Sequence, residues 1–136
     1  MNNPEPRWKE RLHVFNNALA RLKEVADLSR HHKLTDIESD SLIKRFEFTY
    51  EMAWKLLMSY EKDNGETQMF GSKDVVRRAV QMSLIDNPEP WMDMIDARNR
   101  TSHVYDSEMA TDIADEIIST YCPLFDELLA KMSTLQ

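Results

Sequence analysis

Hydrophobic positions recur along most of the chain at spacings of three and four residues, the period of an amphipathic α-helix. The first such segment covers about residues 6–30, and the second covers about residues 36–63. Before the second segment, Thr35 and Glu38 form a capping-box pattern. In such a box the threonine hydroxyl accepts a hydrogen bond from the Glu38 amide, and the Glu38 carboxylate accepts one from the Thr35 amide. The pattern predicts two long helices joined by a short connection.

The second segment is apolar over more of its circumference than one core face requires. Its main stripe includes Ile43, Phe46 and Tyr50, and further apolar residues lie off that stripe: Leu42, Phe48, Met52, Trp54, Leu56 and Met58. We therefore expect this helix to be buried on two sides, with the second side forming a subunit interface. Glu47 and Glu51 lie on its narrower polar side, and we interpret both as solvated.

The middle of the chain predicts two shorter helices. Both glycines fall in the segment 64–71, which we interpret as a loop, and Ser72 is predicted to cap a helix that ends near residue 85. Asn87 is a plausible N-cap for the next helix, with Pro88 at the first helical position, where its missing amide costs nothing. That fourth helix should carry three apolar residues inward: Trp91, Met94 and Ile95.

A last long helix is predicted after Asp106, because apolar residues recur at helical spacing from there to Met132. Pro123 lies inside it and should clash with the Ser119 carbonyl, so a bend is expected. The predicted fold class is all-α, an antiparallel up-down helical bundle of about four long helices plus a short helix, in a single domain over residues 1–136.

Composition agrees with this class and narrows the function. Only 2 glycines and 5 prolines occur in 136 residues, too few for a sheet with frequent turns. The net charge of −7 argues against a non-specific nucleic-acid coat, so any nucleic acid must meet a local basic spot. The single Cys122, the absence of an apolar leader and the absence of a membrane-spanning run predict a cytoplasmic protein.

The segment "DARNRTSHVYD" (residues 96–106) concentrates the side chains that could carry chemistry. Arg98 offers a permanently charged planar fork suited to phosphate oxygens, and His103 can take or give a proton near neutrality. Together they suffice for phosphodiester transfer in RNA without a metal, and Asn99 could orient either group. Arg100 is a candidate contact for RNA.

The same segment can also be interpreted as purely structural. If only the spacing of its residues is considered, the structural interpretation is favoured. Five helical steps separate Arg98 from His103, about 140° of rotation, so a continuous helix would splay them apart. Arg98 and Arg100 would then complement the helix dipole in the last turn and pair with Asp93 or Asp96, while His103 caps. If the helix instead ends near residues 101–102, the backbone can bring His103 back toward Arg98.

Other candidate sites are weaker. His31 and His32 have no carboxylate or cysteine cluster at metal spacing, so no metal site is predicted. Arg77 and Arg78 form a small basic spot that we interpret as solvated. The sequence contains no glycine-rich phosphate loop, nucleophile elbow or dinucleotide fingerprint, and we predict no cofactor.

Two blocks of the chain resemble a known superfamily. "RNRTSHVYD" is similar to the R-x4-H-x-Y motif of the HEPN superfamily. "IKRFEFTYEMAWKLL" (residues 43–57) resembles the second-helix signature of one of its branches, the nucleotidyltransferase substrate-binding proteins or HepT-like toxins. The blocks stand in the expected order, and the resemblance covers nearly the whole chain.

The resemblance implies a helical bundle that forms a homodimer, with the two motifs facing each other across a cleft. It implies a metal-independent ribonuclease toxin acting on RNA, with tRNA as one candidate substrate, whose antitoxin is a cognate MNT-type nucleotidyltransferase. Carried over to this chain, Arg98 and His103 become the catalytic pair, Asn99 the supporting residue, and Tyr105 the hydroxyl that the partner adenylylates. The older family name implies an alternative, a non-catalytic substrate-binding subunit of a two-component nucleotidyltransferase.

Overall fold

A computed structural model describes residues 6–136, and within that range the chain is helical with no β-strand. The predicted all-α class is confirmed. A short 3₁₀ turn, Thr101–His103, follows the fourth helix, and a π turn, Ile117–Tyr121, joins the last two helices without a break. The six α-helices are α1 (Arg7–Leu28), α2 (Asp36–Asp63), α3 (Ser72–Gln81), α4 (Pro88–Arg100), α5 (Ser107–Glu116) and α6 (Cys122–Ser133).

The helices α1 and α2 form an antiparallel pair. The Thr49 hydroxyl oxygen lies 3.2 Å from the Ala18 carbonyl oxygen, and Arg45 Nη1 donates to the Arg21 carbonyl at 2.6 Å. As the residue number rises in α1 it falls in α2, which is the register of antiparallel helices. The predicted capping box is also confirmed, since the Glu38 amide donates to Thr35 Oγ1 at 3.1 Å and the Thr35 amide donates to Glu38 at 2.9 Å.

An aromatic cluster joins these two helices to α4 and α6. The ring of Phe125 lies 5.8 Å from Phe15, 6.1 Å from Phe46 and 6.0 Å from Trp91 between centroids. Phe46 also stacks on Tyr121 at 5.6 Å. Burial of each phenylalanine stabilises the folded state by about 1.5–3 kcal/mol relative to an exposed side chain. Through Trp91, the cluster holds the first turn of α4 against the core.

The helix α2 buries a broad face, as its pattern predicts, but part of its apolar surface stays outside. Leu42, Phe46 and Leu57 are buried, whereas Phe48 is 51% exposed and Met52 is half-buried. The predicted subunit interface requires apolar residues on the outward face of α2, and Phe48 and Met52 lie there.

The prediction for α3 is wrong at both ends. Ser72 is the first helical residue rather than the cap, and Gly71 takes the cap position with φ +117°. The helix stops at Gln81 because Ser83 adopts φ +60°, after which its amide donates to the Val80 carbonyl and the Leu84 amide donates to the Ala79 carbonyl. This is the hydrogen-bond pattern of a Schellman motif, with serine where glycine is usual.

Pro123 is accommodated by a change of helix type. The Cys122 amide donates to the Ile117 carbonyl, a span of five residues, just before the proline. A π turn shifts the hydrogen-bond register at the place where a proline would otherwise meet the carbonyl four residues earlier. No helix within residues 6–136 has the length and apolarity needed to cross a bilayer.

Candidate active site

The end of α4 presents the motif to solvent. Asn87 caps the start of the helix by accepting the Glu89 amide at 3.1 Å, and Trp91, Met94 and Ile95 are buried, all as predicted. The helix ends at Arg100, which agrees with the alternative of an end near residues 101–102 rather than with a continuous helix through the motif. The buried Thr101 donates its hydroxyl proton to the Arg98 carbonyl at 2.6 Å, which competes with continuation of the helix.

Arg98 forms an ion pair with Glu47 of α2. Its Nη1 lies 3.1 Å from Oε2 of Glu47 and 3.2 Å from the Thr101 hydroxyl oxygen. Both side chains of the ion pair are mostly buried, 27% exposed for Arg98 and 24% for Glu47. The interpretation of Glu47 as a solvated residue is therefore wrong, because the fold brings its carboxylate to the motif.

Arg100 is paired with a different helix. Its Nη2 lies 3.0 Å from Oε2 of Glu116 at the end of α5. The buried Tyr121 hydroxyl donates to the same carboxylate at 3.5 Å, and burial next to Glu116 raises the pKa of Tyr121 to about 12. The predicted pairing of the motif arginines with Asp93 or Asp96 is wrong, since both arginines reach carboxylates outside α4.

His103 and Tyr105 form the exposed part of the site. Nδ1 of His103 lies 3.1 Å from the Tyr105 hydroxyl, and Tyr105 is 78% exposed. If the hydroxyl donates, Nε2 of His103 carries the ring proton; if Nδ1–H donates, Nε2 is a free base. The contact fixes the imidazole while leaving its other nitrogen available.

Not all predicted site residues meet. Within residues 6–136, no hydrogen bond links Arg98 to His103, and the exposed Asn99 makes no side-chain hydrogen bond. The backbone leaves the helix through the 3₁₀ turn and becomes extended at Val104, with φ −88° and ψ 108°. Arg98 at the end of α4 and His103 in the 3₁₀ turn thus lie on consecutive elements, with no hydrogen bond between them among residues 6–136.

The surroundings of Tyr105 are acidic. A cavity of about 230 Å³ lies beside it, with Asp36, Asp40 and Asp106 in its wall. Asp106 also caps α5 by accepting the Met109 amide at 2.9 Å. In a single chain, therefore, carboxylates flank both motif arginines and the tyrosine, which weakens the attraction for a phosphate.

The remaining candidate groups have structural partners. In the part of the chain that the structure describes, no group of three or more His, Cys, Asp or Glu side chains is arranged to hold a metal ion. His32 contacts Glu38 at 2.9 Å, and Cys122 is buried, which raises the pKa of its thiol to about 12. The two-arginine spot on α3 is paired rather than simply solvated: Arg77 with Asp74 and Arg78 with Glu66.

Comparison with known proteins agrees with this fold. Residues 10–134 match the family model described as nucleotidyltransferase substrate binding protein like. A protein of Haemophilus influenzae (strain ATCC 51907 / DSM 11121 / KW20 / Rd) named probable ribonuclease HepT is 31% identical over 121 residues, which cover 80% of this chain and 83% of that protein.

Two solved structures have the same fold. A protein of Thermus thermophilus superposes with a TM-score of 0.77 at 30% identity, covering 87% of this chain and 98% of the other. A Haemophilus influenzae protein, described as revealing the fold of a substrate binding domain of a nucleotidyltransferase, superposes with a TM-score of 0.75 at 26% identity, covering 90% and 98%. This chain belongs to the nucleotidyltransferase substrate-binding protein-like family.

Proposed function

We propose that this protein is a HEPN-type toxin, a metal-independent ribonuclease whose catalytic groups are Arg98 and His103. The observation that carries the proposal is the exposed His103, fixed through Nδ1 by Tyr105, one 3₁₀ turn after an arginine held in place by Glu47. A histidine placed for packing would be buried, whereas His103 is exposed and keeps Nε2 available. The name of the relative, probable ribonuclease HepT, supports the same activity.

The chemistry is transesterification within RNA. His103 Nε2 takes the proton of a 2′-hydroxyl, the 2′-oxygen forms a bond to phosphorus, and the bond from phosphorus to the 5′-oxygen breaks. A proton returned to the 5′-oxygen completes the balance and leaves a 2′,3′-cyclic phosphate and a 5′-hydroxyl. Arg98 stabilises the negative charge that builds on the phosphoryl oxygens, and Asn99 supports the pair.

A homodimer would complete this site. One histidine can remove the first proton, and a second copy of the chain would bring a second His103 to deliver the other. The exposed Phe48 and the half-buried Met52 on α2 provide apolar surface for such contact. Two facing motifs would also place Arg98 and Arg100 of both copies along one cleft. Arg100 would contact the RNA backbone there.

The antitoxin step would act on Tyr105, the exposed hydroxyl beside His103. A cognate MNT-type nucleotidyltransferase would transfer AMP from ATP: the phenolic oxygen bonds to the α-phosphorus, pyrophosphate leaves, and the phenol proton goes to solvent. The added phosphodiester carries negative charge within contact distance of His103. It would repel an RNA phosphate and block the cleft sterically.

A second function has its own support. In this chain both motif arginines are already paired with carboxylates, and a solved relative is described as a substrate binding domain of a nucleotidyltransferase. A non-catalytic subunit that binds a nucleotidyltransferase and helps to present its substrate is the alternative. We propose the cytoplasm as the place of action for either function, and residues 1–136 as one domain.

The test is incubation of the purified protein with total RNA or tRNA in excess EDTA. Wild type should cleave, whereas Arg98→Ala and His103→Ala should not. Arg77→Ala is a matched control, because it removes an exposed arginine paired with Asp74 on α3. Absence of cleavage by wild type, with a folded dimer present, contradicts the ribonuclease and favours the binding subunit.

A further inference from the structure

Arg98 is held through one nitrogen only. Nη1 approaches two acceptors, Glu47 Oε2 at 3.1 Å and Thr101 Oγ1 at 3.2 Å. The Thr101 hydroxyl donates its proton to the Arg98 carbonyl at 2.6 Å, so the hydroxyl oxygen can only accept a hydrogen bond from the guanidinium. Both N–H groups of Nη1 are therefore accounted for.

The opposite edge of the guanidinium is left without protein partners. Nε of Arg98 is buried and has no hydrogen-bond partner among residues 6–136. A buried donor without a partner disfavours the folded state, so such groups call for an explanation. In an open site the Nε and Nη2 donors form a fork that matches two oxygens of a phosphate, but here the buried Nε leaves Nη2 as the nitrogen for such a contact.

From this geometry we infer that Glu47 is a positioning residue for Arg98. Its carboxylate and the Thr101 hydroxyl fix Nη1 and so hold the guanidinium in one orientation, in which Nη2 is the nitrogen left to meet a substrate phosphoryl oxygen. The inference rests on the proposed ribonuclease function and adds a residue on α2 to that site.

The ion pairs nearby on α2 differ from this one. Glu51, one turn further along, contacts Trp54 Nε1 at 3.3 Å and lies 4.0 Å from Lys55, with no contact to the motif. Arg45 meets Glu24, whose side chain is 69% exposed. Exposed pairs of this kind contribute little, whereas the Glu47–Arg98 pair is partly desolvated and joins two helices at the site. Glu51 is the matched control.

The opposite role would be a gate, in which Glu47 competes with the RNA phosphate for Arg98. A gate and a positioning residue give opposite results when the carboxylate is removed. Loss of a gate tightens RNA binding and speeds cleavage. Loss of a positioning residue slows the chemical step and leaves RNA binding nearly unchanged.

The experiment measures kcat and KM for RNA cleavage in wild type and in Glu47→Ala, Glu47→Gln, Glu51→Ala and Arg98→Ala. Glu47→Ala should lower kcat by about 10- to 100-fold, the effect of misplacing a catalytic group, with KM within about threefold. Glu47→Gln keeps an acceptor oxygen and should recover most of kcat, and Glu51→Ala should match wild type.

Equal kcat in wild type and Glu47→Ala, or faster cleavage and tighter RNA binding in Glu47→Ala, would overturn the inference. If Arg98→Ala still abolishes cleavage in that case, the proposed function stands and only the role of Glu47 falls.

A second readout does not depend on cleavage. In NMR spectra, the Arg98 Nε–H signal should be sharp in wild type and Glu47→Gln and broadened in Glu47→Ala. An identical sharp signal in all three proteins would overturn the inference even if the wild type proved inactive on RNA.

Discussion

Two regions of the molecule each bring a glutamate of α2 close to an arginine of a later helix, with opposite results. In the motif region, Glu47 and Arg98 form an ion pair at 3.1 Å, and each keeps about a quarter of its side chain exposed. In the buried-glutamate region at the other end of α2, Glu61 is 0% exposed, and neither carboxyl oxygen has a hydrogen-bond partner among residues 6–136. The nearby Arg78 instead pairs with Glu66 at 3.0 Å.

Solvent access explains the difference. Burial raises the pKa of Glu61 to about 8; the charge of Arg78 opposes this rise but does not cancel it. The Glu61 carboxyl is therefore mostly protonated near neutral pH, and its side chain is part of the packed interior. The motif region keeps its charges paired and partly hydrated, so Arg98 can meet a phosphate while Glu47 still holds its Nη1. Changes in the motif region should therefore alter activity, and changes around Glu61 should alter stability.

The largest effect is expected for His103→Ala. Loss of an acid–base catalyst slows cleavage by about 10²- to 10⁴-fold, whereas the melting temperature should barely change because the side chain is exposed. RNA cleavage and thermal melting are measured on the same preparation. A large drop in melting temperature would identify a structural histidine and remove the contrast between the two regions.

The next effect is the pH dependence of stability caused by Glu61. Its folded pKa of about 8 lies above the ordinary 4.5, so its favourable contribution is complete below pH 4.5 and is lost as pH rises through about 8. Within that window the free energy of unfolding should fall by about 1.4 kcal/mol per pH unit from this group. Glu61→Gln should remove that slope, and urea denaturation at several pH values compares the two proteins.

Parallel pH profiles for wild type and Glu61→Gln would contradict the assignment of a neutral, buried carboxyl. RNA cleavage by Glu61→Gln should remain close to wild type at pH 7, because the changed group lies outside the motif region. A loss of activity in a stably folded Glu61→Gln protein would break the division between the regions.

A smaller effect is expected from the outward face of α2. A charge introduced by Met52→Glu should weaken association of the proposed homodimer at least about tenfold, equivalent to about 1.4 kcal/mol, since an unpaired carboxylate would be buried in the proposed interface. Sedimentation measures the dimer, with Val14→Glu on α1 as the control for an exposed hydrophobic position. An unaltered dimer in Met52→Glu would place the interface on another face.

The smallest effect on cleavage is expected for Tyr105→Phe. Loss of the hydrogen bond to His103 Nδ1 removes about 1 kcal/mol, which corresponds to a change of a few-fold in rate. The same substitution should abolish AMP transfer by the cognate nucleotidyltransferase, followed by mass spectrometry. Modification of Tyr105→Phe to the wild-type extent would show that another hydroxyl is the acceptor.

Local interactions made parts of the fold predictable from sequence. The start of α2 depends on a capping box between groups three residues apart, and the end of α4 depends on the hydrogen bond from the Thr101 hydroxyl to the Arg98 carbonyl. The end of α3 was missed because serine at position 83 takes a positive φ, a conformation that sequence signals assign to glycine or asparagine. The single-domain boundary of 1–136 stays a prediction.

The candidate site was only partly predictable. The motif supplied Arg98, Asn99, Arg100, His103 and Tyr105, but their partners come from other helices. Glu47 lies on α2 and Glu116 lies at the end of α5, and the packing of these helices determines which carboxylate contacts each motif arginine. Two carboxylates one turn apart, Glu47 and Glu51, are equivalent in sequence, and only the tertiary structure distinguishes the one that contacts Arg98.

The most direct test of the central claim, that the motif region performs chemistry on RNA, compares two substrates in EDTA: an RNA and the same sequence with 2′-O-methyl groups. The account predicts cleavage of the RNA alone, with 2′,3′-cyclic phosphate ends, because the attacking nucleophile is the 2′-hydroxyl. Cleavage of both substrates, or of neither by a folded wild-type dimer, would contradict it.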